Sequence, residues 1–148
     1  MSLAVREPSR GSAAGESPVA AWREVGPGVD VKLLTVDPAT QAVEYLVRLP
    51  PGFHTGRYRH YAETFVYILE GQVGVTGTPT SFSAGDICCQ PRGVIHEEVA
   101  GPQGATVYVS QRAHDDRLIE FLDADGAVQD TLRLAQLCAA LTAPVRIL

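Results

Sequence analysis

From Trp22 onward, short apolar runs recur with turn residues between them, a rhythm that fits an all-β barrel or sandwich. Strands are expected at Val31–Leu34, Ala42–Leu49, Phe65–Leu69, Gln72–Val75, Ser81–Ser83, Ile87–Gln90, His96–Val99 and Thr106–Gln111. In the second of these, Val43, Tyr45, Val47 and Leu49 share one face while Glu44 and Arg48 take the other, as a half-buried strand requires. Pro50-Pro51-Gly52, Glu70-Gly71, Ala84-Gly85-Asp86, Pro91-Arg92-Gly93 and Gly101-Pro102-Gln103-Gly104 mark the corners, through fixed or positive φ. A further strand at Arg117–Leu122 leads into the hairpin signal Asp123-Ala124-Asp125-Gly126. A helix should follow, capped by Asp130, because Leu134, Leu137, Cys138 and Leu141 form one apolar stripe at i, i+3, i+4 and i+7.

Residues 1–19 show neither period and are rich in Ser, Gly, Pro and Ala, which reads as a flexible tail before a single domain over 20–148. The domain has enough to bury: 45% of the 148 residues are hydrophobic and 20% charged. A formal net charge of -5 with no basic stripe argues against nucleic acid as a partner. No apolar run is long enough to span a membrane and none near the start resembles a secretion signal, so the expected location is cytoplasmic. Cys88, Cys89 and Cys138 form no framework for disulfides or zinc and are expected as reduced thiols. Strand alternation turns one of Cys88 and Cys89 inward, although nothing near them would favour a reactive thiolate.

The segment Gly85-Asp-Ile-Cys-Cys-Gln-Pro91-Arg-Gly93-Val-Ile-His96 resembles the second cupin motif, G-x5-P-x-G-x2-H-x3-N, at every position but the last, which is Ala100. The first motif, G-x5-H-x-H-x3-4-E-x6-G, aligns to Gly52 through Gly71, where Gly52, His60 and Gly71 fit. Tyr58 stands in place of the first histidine and Thr64 in place of the glutamate, with Glu63 one residue away on the opposite strand face. From Trp22 to Leu141 the chain is similar to the cupin subgroup of acetylacetone dioxygenase, dihydroxyacetophenone dioxygenase and the ChrR-type anti-sigma sensor. The similarity lies in Gly26-Pro-Gly28-Val-Asp-Val-Lys-Leu33, the Arg59-His60 pair and Leu118-Ile-Glu-Phe-Leu-Asp-Ala-Asp-Gly126. The fold this implies is a double-stranded β-barrel, or jelly roll, closed by the C-terminal α-helix.

The resemblance implies a site at the barrel mouth, where members hold iron or zinc with three histidines. By position these would be residues 58, 60 and 96, of which His60 and His96 are present. Two histidines hold a divalent ion such as Fe2+, Zn2+ or Ni2+ weakly, so Tyr58, Glu63 or Gln90 would have to complete the sphere. A Tyr58 ligand must first lose a proton whose ordinary pKa is about 10. His54 precedes the mouth and is a further candidate, whereas His114 falls in a polar connection and reads as solvated. Phe53, Phe65, Tyr67 and Tyr108 are expected in the core or lining a cavity, which would suit a small organic molecule.

Three functions compete. The resemblance implies a metal-dependent, non-haem iron type dioxygenase acting on a small diketone or hydroxyketone, with Tyr58, His60 and His96 catalytic. A second reading is a non-catalytic small-ligand or sensor cupin with an eroded metal site. A third is a metal-free isomerase or cyclase in which His60 or His96 is the base and Tyr58 the acid. A homodimer is expected, through an N-terminal strand such as Val31–Leu34 that pairs with or covers a neighbour's edge.

Overall fold

The computed structural model describes residues 21–141; the expected tail, 1–19, lies outside them. Ten strands run in the order β1 (Arg23–Gly26), β2 (Val29–Asp37), β3 (Ala42–Leu49), β4 (His54–His60), β5 (Glu63–Val75), β6 (Ser81–Ser83), β7 (Ile87–Gln90), β8 (Ile95–Arg112), β9 (Arg117–Leu122) and β10 (Val128–Arg133). Helix α1 (Leu134–Leu141), the one helix among the described residues, follows and lies against β10 and β2. All strand pairs are antiparallel.

The sheet curls into two layers because β5 and β8 are long and bent. The C-terminal half of β8, Ala105 to Arg112, runs between β3 and the first half of β5. Its N-terminal half, Ile95 to Ala100, instead runs between β4 and the end of β5. Both strands therefore pass from one sheet to the other, and the interior lies between the sheets. The corner depends on close backbone approach. A Cβ on Gly104 would sit 2.4 Å from the Leu49 carbonyl oxygen, and one on Gly71 2.1 Å from that of Gly104; both glycines have positive φ. The expected loop Gly101–Gly104 is thus a bend within a continuous strand.

The core takes Val43 and Tyr45 from β3, Val31 and Leu33 from β2, Ile68 from β5 and Val107 and Val109 from β8. The alternation read in β3 holds, since Val43 and Tyr45 are buried and Val47 and Leu49 pack against them. Three strands escape the apolar pattern. In β4 the inward positions are Tyr58 and His60, so the face turned to the cavity reads as polar. β1 is short, and β10 carries Gln129, Asp130 and Thr131 across an edge position.

Two expectations need correction. Asp130 lies within β10 and does not cap α1; Asp116 does, through its backbone oxygen to Leu134 N at 2.9 Å and its carboxylate to Ala135 N at 3.3 Å. Leu134 and Leu137 are buried and Cys138 half-buried as the stripe requires, and the Leu141 side chain lies outside the described residues. Of the expected pairing segment Val31–Leu34, β1 covers only Val31; β3 pairs with all of it on the other side, and Lys32–Asp37 has no strand partner on the β1 side. Phe65 and Tyr67 face outward, 52% and 37% exposed, since Thr64, Val66 and Ile68 take the inner positions of β5. Tyr108, their neighbour in register on β8, shares that outer face, while Phe53 lines the interior as expected.

Candidate functional site

The interior holds a cavity of about 160 Å3. Most of its wall is aliphatic or aromatic, and Tyr58, His60, Gln90 and Glu98 form a polar pole. Pairing explains why these groups meet. Tyr58 and His60 are two apart on β4, so both point inward. Tyr58 lies directly opposite His96 on β8, and Gln90 on β7 lies opposite Thr64 on β5. The Tyr58 ring is 5.2 Å from that of His60 and 5.8 Å from that of His96, with the two imidazoles 6.1 Å apart.

Glu98 supplies a carboxylate that the motifs do not mark. Tyr58 Oη donates to its Oε2 at 2.6 Å, and Gln90 Nε2 donates to its Oε1 at 2.8 Å. Burial raises the Glu98 pKa, and burial followed by the charge of Glu98 pushes that of Tyr58 well above its ordinary range. The phenol therefore keeps its proton and the carboxylate accepts its hydrogen bond.

A second network stands on the other side of His60. Gln111 on β8 places Nε2 3.0 Å from His60 Nδ1 and 3.1 Å from Thr64 Oγ1, while its Oε1 accepts from Tyr45 Oη at 2.7 Å. Burial, offset in part by Gln90 and reinforced by neighbouring His96, lowers the His60 pKa to about 4. Burial also lowers that of His96. Both rings are neutral at pH 7. Among the described residues, His60 Nε2 and His96 Nε2 are the buried side-chain polar atoms without a hydrogen-bond partner.

The remaining candidates fall outside. His54 is exposed. Glu63 faces solvent and lies 3.7 Å from the exposed ring of His114. Arg59 points away from the cavity to Glu120, with two contacts of 2.9 and 2.7 Å. Of the two adjacent cysteines, Cys88 lines the cavity and Cys89 is exposed. Burial pushes the Cys88 thiol up, away from thiolate chemistry.

The donor set does not fit a catalytic metal, which usually has three protein ligands and an open position. No group of three His, Cys, Asp or Glu side chains suited to a metal ion occurs among the described residues. His60 and His96 have free ring nitrogens. The expected third ligands are otherwise engaged, Tyr58 as a protonated donor to Glu98 and Gln90 through its amide to the same carboxylate.

A double-layered β-barrel with the first-motif histidine His60 lining its cavity and the second-motif histidine His96 6.1 Å from it defines a cupin. The chain belongs to the ChrR cupin-like domain family, whose model matches residues 11–115. No curated protein matches it. Among solved structures it is similar to an acetylacetone dioxygenase from Acinetobacter johnsonii, with a TM-score of 0.71 at 17% identity over 97% of this chain and 99% of that one. A putative acetylacetone dioxygenase from Methylibium petroleiphilum PM1 gives 0.72 at 16% identity over 93% and 99%. The Rhodobacter sphaeroides complex of SigE with the anti-sigma ChrR gives 0.55 at 22% identity, over 62% of this chain and 49% of that one. At these identities the likeness is one of fold. No helix among the described residues is long and apolar enough to cross a membrane.

Proposed function

We propose that this cupin takes a small, largely apolar organic molecule with one oxygen-bearing end into its barrel and acts on it by proton transfer. The observation that carries this is the buried 2.6 Å Tyr58–Glu98 pair beside the neutral His60 imidazole at the polar pole of an apolar cavity. Glu98 is the base and Tyr58 its relay. A substrate C–H gives its proton toward Tyr58 Oη as the phenol proton moves to Glu98, and the His60 imidazole faces the substrate oxygen on which charge develops. This reverses the role of acid that the sequence assigns to Tyr58, because its proton is already directed at a carboxylate.

The probe is 3-hydroxybutan-2-one in deuterated buffer, followed by NMR. Exchange of the hydrogen α to the carbonyl should be faster with protein than without. Glu98→Gln should slow that catalysed exchange at least a hundredfold, within the usual range for removing a general base. Exchange untouched by Glu98→Gln would sink the reading. The similarity to acetylacetone dioxygenases favours a second reading, a metal-dependent dioxygenase acting on a diketone or hydroxyketone. Tag-free protein that retains stoichiometric iron and consumes oxygen with acetylacetone would establish it in place of the first.

A further inference from the structure

Thr64 stands where the cupin motif places a glutamate, and its surroundings define what has replaced that carboxylate. The Thr64 hydroxyl has one proton, which it donates to the Ala62 carbonyl oxygen at 3.0 Å. Toward Gln111 it can therefore only accept, so the Gln111 atom 3.1 Å away must be the amide nitrogen. The same amide nitrogen then meets His60 Nδ1 at 3.0 Å, and the amide oxygen takes the proton of Tyr45. Turning the amide over would leave the buried Tyr45 hydroxyl facing a donor with no acceptor for its own proton, a costly arrangement in a dry interior. Tyr45, Thr64 and Gln111 are all at most 5% exposed, so water does not substitute.

We propose that the Tyr45–Gln111–Thr64 chain locks His60 as its Nε2–H tautomer, so that this end of the cavity donates a hydrogen bond to a ligand oxygen instead of ligating a metal ion. A neutral imidazole carries one proton. With Nδ1 accepting from Gln111, that proton is on Nε2, the atom left without a partner. The ligand this selects presents an acceptor, a carbonyl or carboxylate oxygen, at the polar pole and hydrocarbon to the rest of the wall. The ligand class rests on the proton-transfer reading above; the tautomer does not.

Gln111 is a positioning residue here, and the test reads the ring directly. Proton–nitrogen NMR of the full chain at pH 7, with His60 signals assigned by their loss in His60→Gln, should show Nε2 protonated and Nδ1 bare. Gln111→Glu keeps the shape but offers Nδ1 an acceptor, so the proton should move to Nδ1. The freed Nε2 lone pair should then raise Zn2+ affinity at least tenfold by calorimetry. Thr64→Val, a milder change, should release the amide and let a measurable Nδ1–H population appear. An Nδ1–H parent, or a parent that binds Zn2+ more tightly than Gln111→Glu, overturns the proposal. Deuterium exchange insensitive to Glu98→Gln, with the tautomer as stated, would sink the proton-transfer reading and leave the lock standing.

Discussion

His60 is 4% exposed, and its pKa near 4 links site and stability. The unfolded chain takes up this proton near 6.5, the folded one only near 4. Between those values the unfolded state binds more protons, so stability falls as pH drops from about 6.5 to about 4 and this contribution is level outside that window. His96 acts in the same direction. Glu98, with its pKa raised, acts in the opposite one and offsets part of the loss. Urea unfolding at pH 7 and pH 4.5 should show the parent losing more stability than His60→Gln, out of about 3 kcal/mol for the full His60 window. Equal losses would show that His60 is not held neutral by burial. Tyr58, His60, His96 and Gln90 were legible from motif spacing, whereas Glu98 and Gln111 were not marked. Glu98 had a signal, since it stands two residues after His96 and so shares its strand face. Gln111 had one too, since it follows Val107 and Val109 at period 2 in the expected strand Thr106–Gln111, but nothing tied it to His96, because the inward positions of β8 change parity at the bend, from His96, Glu98 and Ala100 to Ala105, Val107, Val109 and Gln111.

At the scale of elements, α1 shows how a local signal can be correct in kind and wrong in place. The apolar stripe located the helix, but the capping group comes from Asp116, 18 positions before Leu134, in the connection between β8 and β9. Local reading chose Asp130 because a cap normally stands beside its helix. Asp130 instead accepts from the neighbouring Thr131 N within β10. Asp116→Ala should therefore cost about 1 kcal/mol, the usual loss for an N-cap, while Asp130→Ala should stay within about 0.5 kcal/mol. Thermal midpoints of the two variants decide the matter, and the reverse order would return the cap to Asp130. β4 was missed for a different reason: the barrel mouth spends its inward positions on chemistry, which removes the aliphatic alternation by which strands are read.

Over the whole molecule, Phe65, Tyr67 and Leu69 on β5 and Ile87 on β7 share an outer face, with Tyr67 opposite Ile87 in register and Ile87 66% exposed. Contiguous apolar exposure of this kind marks an association surface. This face is a second candidate surface for the expected homodimer, beside the Lys32–Asp37 stretch of β2 that β1 leaves unpaired. Light scattering at micromolar concentration should give twice the chain mass, and Ile87→Lys should give the monomer; a monomeric parent would leave the face without this role.

β8 is flanked along most of its length, by β3 and β5 in one half and by β4 and β5 in the other. Its amide hydrogens thus have no route to solvent through the loss of a single edge strand, and their exchange should report the opening of the whole barrel. β10 and β6, each paired on one side, should exchange through smaller openings and earlier. His96, Glu98 and Gln111 all sit on that slowest strand, so the site should persist through every partial opening and disappear only with the barrel itself. Mass-resolved hydrogen exchange should place peptides spanning Ile95–Arg112 last. Release of that segment before β10 would mean that the binding pole opens locally, independently of the fold that carries it.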